Sequence, residues 1–166
     1  MYRMRNWSVR NARWLKRAYA GFETMLVMAS PLLRRIGYER LDKPFAMVEK
    51  MTKGVMLDSQ NCGQCIVGFT GLSCPMNCPK KLRNGPCGGV RADGTCEVEP
   101  KMPCVWVLAW EGNKRFRENG YPIQVVQPAV DNRLIGKSAW LREVRYRSDA
   151  TRGASHEVCR RATGAG

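Results

Sequence analysis

The sequence predicts a small protein of helices and irregular chain whose core is stabilised by bound metal. Seven of the eight cysteines in this 166-residue chain fall between positions 62 and 104. That segment is dense in glycine and proline and poor in large apolar side chains, so it cannot bury enough surface to fix its turns unaided. Metal-bound thiolates would supply the missing cross-links. We therefore expect N-terminal helices, a loop-dominated cysteine-rich core, and a short helix with an extended C-terminal arm.

Residues 1–57 are predicted to form a basic helical arm. From about Ala12 onward, apolar residues recur every three or four positions, which places them on one helical stripe. Pro31 should break or restart the helix, and Gly37 suits its C-terminal cap. The stripe could pack on a partner protein, a membrane surface or the chain's own core, and the scarcity of other core favours a partner. It comprises Leu15, Ala18, Tyr19, Phe22, Met25, Leu26, Ala29, Leu32, Leu33 and Ile36.

A second helix should lead into the cysteine-rich segment. Asp42 is placed to cap it, and Pro44 would lie in its first turn, where no backbone N–H is needed. Phe45, Val48 and Val55 belong to its predicted apolar face.

The chain after Cys104 predicts one more helix and then mostly irregular structure. Pro103 suits the start of a helix that runs to about Arg117, with Trp106 and Trp110 one turn apart. Those tryptophans could stack nucleobases, but sealing a metal site or a core is the commoner role. Residues 121–130 should be extended or irregular, a short helix should lie around 139–141, and residues 146–166 should be a disordered tail. The cysteine-rich domain would span 58–145.

The cysteine spacing points to metal without fixing which metal. It reads C-x2-C-x8-C-x3-C-x8-C-x8-C-x7-C, with a single C-x2-C pair instead of the two pairs usual in structural zinc sites. Dispersed ligands and Cys-Pro steps favour an iron–sulfur cluster such as [4Fe–4S], and zinc remains the alternative. Seven ligands do not make two sets of four, and His156 or Cys159 could complete a second set only if the tail is ordered. The predicted ligands are Cys62, Cys65, Cys74, Cys78, Cys87, Cys96 and Cys104.

Charge and composition limit the functional classes. The formal net charge of +14 favours an acidic partner, a polyanion, nucleic acid or an anionic membrane. The N-terminus makes a poor signal peptide, so we expect a reducing, cytoplasmic setting in which clustered cysteines bind metal instead of forming disulfides. The single histidine lies in the tail and no nucleophile has a base partner, so we expect no catalysis by this chain alone.

The cysteine-rich segment resembles the C-terminal domain of methylenetetrahydrofolate reductases, which also occurs as a free-standing small subunit beside a flavin-containing barrel. The resemblance covers about residues 40–143, and its most specific part is the string Leu82-Arg83-Asn84-Gly85-Pro86-Cys87-Gly88-Gly89. Further matching runs are 62–65, 70–71, 74–80, 96–98, 104–106 and 127–131, with Gly136, Ser138 and Trp140.

The resemblance implies where the cofactors of the whole enzyme belong. In that family the FAD and folate pockets belong to the barrel subunit, so neither is carried over to residues of this chain. Relatives often carry a further cysteine at the position of Ser59, which leaves an eight-thiolate arrangement incomplete here.

Together these features suggest a non-catalytic, metal-binding subunit of a folate-linked one-carbon oxidoreductase. It would dock on the flavin barrel subunit for electron transfer or structural support. The alternatives are a metal-stabilised nucleic-acid-binding module, which the absence of a basic finger-type helix in the cysteine segment disfavours, and a scaffold for one-carbon enzymes.

Overall fold

A computed structural model of the chain describes residues 2–116 and 122–150. Within those ranges the protein is α-rich, and the only extended pairings are isolated bridges between Val90 and Cys96 and between Thr95 and Pro103. The expected small α-plus-irregular class is confirmed, while its stabilisation by metal stays a prediction. No helix in the described part of the chain is long and apolar enough to cross a membrane. The helices are α1 (Tyr2–Arg10), α2 (Ala12–Met28), α3 (Ser30–Ile36), α4 (Tyr38–Leu57), α5 (Val105–Phe116) and α6 (Ala139–Ala150), with 3₁₀ turns at Pro75–Asn77, Pro122–Gln124 and Asn132–Leu134.

The N-terminal helices break where the sequence predicts. Pro31 lies in the first turn of α3, where its missing N–H costs nothing, and Gly37 caps the end of α3 with a φ of 96°. Most of the apolar stripe packs on the chain's own core: Tyr19, Phe22 and Leu26 belong to one cluster with Trp140 of α6. The favoured prediction, that the stripe packs on a partner, therefore does not hold for most of it. Only its exposed members, such as Met25 and Leu32, remain available to a partner.

The start of α4 differs from the prediction. The helix begins at Tyr38, directly after Gly37, so Pro44 lies inside it and Asp42 does not cap it. Asp42 Oδ1 instead accepts a hydrogen bond from the backbone N–H of Ser138 at 3.0 Å, at the start of α6. The left-handed glycine supplies the chain reversal between α3 and α4, and this is the reason the helix can begin a full turn earlier.

Two polar contacts fasten α1 to the end of α4. The buried guanidinium of Arg5 pairs with the carboxylate of Asp58, and the Ser8 hydroxyl donates to the carbonyl oxygen of Met56. Beside them, Ala12 of α2 packs in a core cluster with Leu57 and with residues of the cysteine-rich segment. The N-terminal arm thus covers one side of that segment.

The C-terminal helix is longer than predicted. α6 continues to Ala150, past the point at which the sequence suggested a tail, because Trp140, Leu141 and Val144 pack against α2 and α3. The chain before it, from the 3₁₀ turn at Pro122–Gln124 to Ser138, is mostly irregular as expected.

Candidate metal centre

Three of the predicted ligands, Cys62, Cys65 and Cys74, interact electrostatically with one another and are called the first thiol group. The pKa of the Cys74 thiol is raised to about 11, chiefly by burial, and negative charge at Cys65 and Cys62 contributes to the rise. The backbone N–H of Gln60 opposes that shift in the pKa by hydrogen bonding to the Cys74 sulfur. The three sulfurs therefore lie near enough to influence one another's ionisation.

The turn that carries the first thiol group is held by polar contacts from distant parts of the chain. Arg83 donates to the carbonyl oxygen of Gln64 at 3.0 Å, and Arg142 of α6 donates to that of Gly63 at 3.2 Å. A Cβ at Gly63, whose φ is 71°, would lie 2.0 Å from the carbonyl oxygen of Leu134. Only glycine fits there, so the turn is pressed closely against the irregular chain before α6.

A buried ion pair lies beside the first thiol group. Lys53 Nζ is 2.7 Å from Glu49 Oε1, and both side chains are almost fully buried. The Lys53 ammonium also lies over the rings of Tyr19 and Trp140, at 5.3 and 5.0 Å from their centroids. Burial raises the pKa of the Cys65 thiol, and the Lys53 charge opposes that rise. A thiolate at Cys65 would therefore have a positive charge within electrostatic reach.

Ser59 lies at the edge of the same group. Its backbone N–H donates to the carbonyl oxygen of Lys53 at 3.2 Å, and its neighbour Gln60 contacts the sulfur of Cys74. Ser59 is thus one residue away from a backbone contact to the Cys74 sulfur.

The other four predicted ligands, Cys78, Cys87, Cys96 and Cys104, form a second thiol group. All four line one cavity of about 20 Å³. The loop is folded around it by backbone hydrogen bonds, in which the Cys96 N–H donates to the Met102 carbonyl and the Cys104 N–H donates to the Gly94 carbonyl, both at 2.9 Å. These contacts bring together cysteines that are far apart in sequence.

Cys87 is the exposed member of the second group. Its sulfur accepts a hydrogen bond from the Gly89 N–H at 3.4 Å and lies 3.5 Å from Glu97 Oε1. Lys80 pairs with the same Glu97 carboxylate and holds its pKa below the ordinary value. The Gly89 N–H is thus a backbone donor to one thiol of the second group.

The side chain of Trp106 supports a bound group in the cavity that the second thiol group lines. It lines that cavity, is 5% exposed, and its indole Nε1 has no hydrogen-bond partner among the described residues. A buried donor without a partner costs about 1–3 kcal/mol. Sulfur atoms of a thiolate-bound group could accept from it, so four soft ligands and one spare donor suit a thiophilic metal.

The sulfurs do not converge on a single point. In the described ranges 2–116 and 122–150, no three histidine, cysteine or acidic side chains are arranged to hold one metal ion. A zinc ion with bonds of about 2.3 Å needs such convergence, whereas each thiolate of an iron–sulfur cluster binds a separate iron. The cavity volume, about that of one water molecule, favours the smaller group. The lack of convergence therefore favours an iron–sulfur cluster, whereas the small cavity volume favours zinc.

Several functional predictions can now be placed. The seven cysteines divide into groups of three and four. Trp106 is buried in a core cluster with Cys104 and Ala109, whereas Trp110 is 40% exposed, so of the two tryptophans only Trp106 seals a core. Asp93 and Glu97, two acidic residues of the cysteine-rich loop, are exposed. His156 and Cys159, the candidate extra ligands, lie outside the described residues. Sequence reasoning missed the Glu49–Lys53 pair, although their four-residue spacing in step with buried Ala46 and Leu57 was a visible signal.

The fold and the thiol groups define a small, cysteine-rich, α-helical domain. The family model described as methylene-tetrahydrofolate reductase C terminal matches residues 38–133, more than half of the chain. The chain therefore belongs to that family, and the match contains α4, α5 and both thiol groups. No curated protein and no solved structure matches the chain.

Proposed function

We propose that the chain is a non-catalytic, metal-binding subunit of a folate-linked one-carbon oxidoreductase, which acts beside a flavin-containing barrel subunit in a reducing cytoplasm. The observation that carries the metal-binding part is the second thiol group, in which four cysteines from separate turns line one cavity. Membership of the methylene-tetrahydrofolate reductase C-terminal family supports the assignment to one-carbon chemistry.

The second thiol group is the better candidate for a complete site. Cys78, Cys87, Cys96 and Cys104 would hold either a [4Fe–4S] cluster or zinc, and Trp106 and Gly89 would donate hydrogen bonds to sulfur. An iron–sulfur cluster would supply one-electron transfer to or from the partner's flavin, and zinc would brace the interface.

The first thiol group contains three thiols beside a buried cation. Cys62, Cys65 and Cys74 would supply three negative charges once a metal is bound, and Lys53 would offset part of that charge. A fourth ligand would have to come from Ser59 or from outside the described residues.

An exposed apolar stripe on α4 supports docking on a partner subunit. It consists of Met47, Val48, Met51 and Val55, each between 56% and 67% exposed, and it lies on the face opposite the buried Glu49 and Lys53. Methionine-rich surfaces adapt readily to a partner. Exposed Lys43 and Lys50 lie on the same helix, so the surface suits an apolar patch with acidic residues at its rim.

Metal analysis of protein purified without oxygen tests the metal-binding part. We expect stoichiometric iron and sulfide, or stoichiometric zinc, and zinc without iron would exclude electron transfer while leaving the bracing role. A chain that is fully folded and holds neither metal would contradict the proposal.

Co-purification with the barrel subunit tests the docking part. Met51→Glu should abolish co-elution in gel filtration, because it places a charge in the α4 stripe. Val98→Glu is the matched control, since Val98 is similarly exposed but lies in the cysteine-rich loop. Equal co-elution of both variants with the barrel would rule out this stripe as the interface.

A further inference from the structure

Another, larger cavity opens next to the second thiol group. It has a volume of about 310 Å³, at the lower end of the range of about 300–1,000 Å³ that is usual for small-molecule sites. Among the residues that the structure describes, the lining is mostly apolar and contains no charged side chain. It consists of Asn84, Gly85, Pro86, Trp106, Trp110 and Ile123, which we call the tryptophan groove.

The groove is formed in advance by polar contacts behind its walls. The Asn84 side chain both donates to the Gln127 carbonyl and accepts from the Gln127 N–H, each at 2.8 Å. On the other wall, the Ile123 N–H donates to Oδ1 of the buried Asn113 at 3.2 Å. These bonds fix the Asn84–Pro86 turn and Ile123 without a ligand, so binding would not have to order them.

The shape and chemistry of the walls select a flat, uncharged ring. Trp106 and Trp110 lie one turn apart on α5, and the proline ring of Pro86 belongs to the same lining. Aromatic and proline faces stack against planar rings, and a charged group would be desolvated there without a partner. Lys114, whose ammonium lies 5.7 Å from the Trp110 ring centroid, already pairs with Glu111.

Trp106 joins this groove to the thiol cavity, because it lines both. Pro86 is followed directly by Cys87, the exposed thiol of the second group. A ring in the groove would therefore lie one side chain away from the four thiols.

We propose that the tryptophan groove binds a neutral planar aromatic ring system next to the second thiol group. The ring could belong to a free small molecule or to a group presented by a partner protein. The proposal does not depend on metal binding, because the walls and the bonds that hold them are formed by the protein alone.

Equilibrium dialysis of the full chain against riboflavin and, separately, adenosine tests the proposal, since both present a neutral planar ring. We expect saturable binding of at least one probe at one site per chain. Trp110→Ala and Pro86→Glu should each weaken it about ten-fold or more, because the first removes a stacking face and the second places a charge at the rim. Trp14→Ala is the matched control, since Trp14 is 68% exposed on α2 and does not line the groove; it should change affinity less than about two-fold.

Circular dichroism identifies any variant that fails to fold. Because Pro86 is exposed, Pro86→Glu still tests the proposal if Trp110→Ala fails to fold. Absence of saturable binding by both probes would overturn the proposal. So would binding that Trp110→Ala and Pro86→Glu leave unchanged, or a proline-rich peptide that binds in the groove while neither ring does. Loss of binding when a purified partner subunit is added would identify a partner-presented ring as the natural occupant; unchanged binding would identify a free ligand.

Discussion

Substitution of Glu49 should reveal how strongly the buried ion pair supports the fold. Glu49→Gln keeps an oxygen to accept from the Ser138 hydroxyl, which donates to Glu49 at 2.9 Å, but it removes the charge opposite Lys53. Leaving a buried charge without its partner costs about 3–5 kcal/mol. The faces of Tyr19 and Trp140 lie near the ammonium and offset part of that cost, so we expect a loss of about 2–4 kcal/mol.

Related variants separate the charge from the hydrogen bonds. Glu49→Ala should cost about 1–2 kcal/mol more than Glu49→Gln, because the Ser138 hydroxyl and the Trp140 N–H would then both lack their acceptor. The double variant Glu49→Gln with Lys53→Met should recover most of the loss seen in Glu49→Gln, since it removes the unpaired buried charge while the glutamine oxygen still accepts from the Ser138 hydroxyl.

Urea unfolding followed by circular dichroism measures these differences as shifts in midpoint at constant slope. A loss of less than about 0.5 kcal/mol for Glu49→Gln would refute the reasoning, since that is the range of ordinary surface substitutions. A double variant less stable than both single variants would also refute it.

Three further outcomes are expected. Gly112→Ala should lower the free energy of unfolding in urea by about 2–4 kcal/mol, because its Cβ would lie 2.0 Å from a facing backbone oxygen. Gly54→Ala should raise that free energy by about 0.5–1 kcal/mol, because open space surrounds the new Cβ. The reverse order of stability would be inconsistent with the packing. In metal-free protein, iodoacetamide should label Cys87 before the other three thiols of its group, as mass spectrometry would show, because it alone is exposed; simultaneous labelling of all four would argue against the described burial. Hydrogen bonds from Arg133 hold the pKa of Asp131 at about 2, below its ordinary value of 3.8. The stabilisation from this carboxylate is therefore present above about pH 4 and is lost as the pH falls towards 2. Asp131→Asn should weaken the pH dependence of stability between these values, and an unchanged profile would contradict the assignment.

Local sequence signals predicted the helices that local chemistry controls. Pro31 and Gly37 mark the break before α3 and its end, as the special backbone properties of proline and glycine require. The apolar periodicity also identified Tyr19, Phe22 and Leu26 as one face of α2. It could not show whether that face met a partner or the chain itself, because periodicity reports only that a face is buried.

Long-range contacts explain the elements that the sequence mispredicted. The first turn of α6 is held by Glu49 and Asp42, whose side chains accept hydrogen bonds from Trp140 and Ser138 about 90 residues later in the chain. No local pattern indicates such partners, so Asp42 was read as the cap of its own helix.

The thiol groups combine both kinds of information. Cysteine spacing identified all seven candidate ligands, but their division into three and four depends on how the loop folds. The bridge between Val90 and Cys96 and the hydrogen bond from Cys104 to Gly94 join turns that sequence spacing cannot relate.

Metal binding by the second thiol group is the central claim made for this protein. The most direct measurement is the content of iron, sulfide and zinc per chain in protein purified without oxygen, compared between the wild type and a variant with serine at Cys78, Cys87, Cys96 and Cys104. A variant with serine at Cys62, Cys65 and Cys74 provides the matched control, since it leaves the second group intact. We expect stoichiometric metal in the wild type, loss of the metal held by the second group in the fourfold variant, and retention of that metal in the control. Equal metal in all three proteins, or none in a folded wild type, would contradict the central claim.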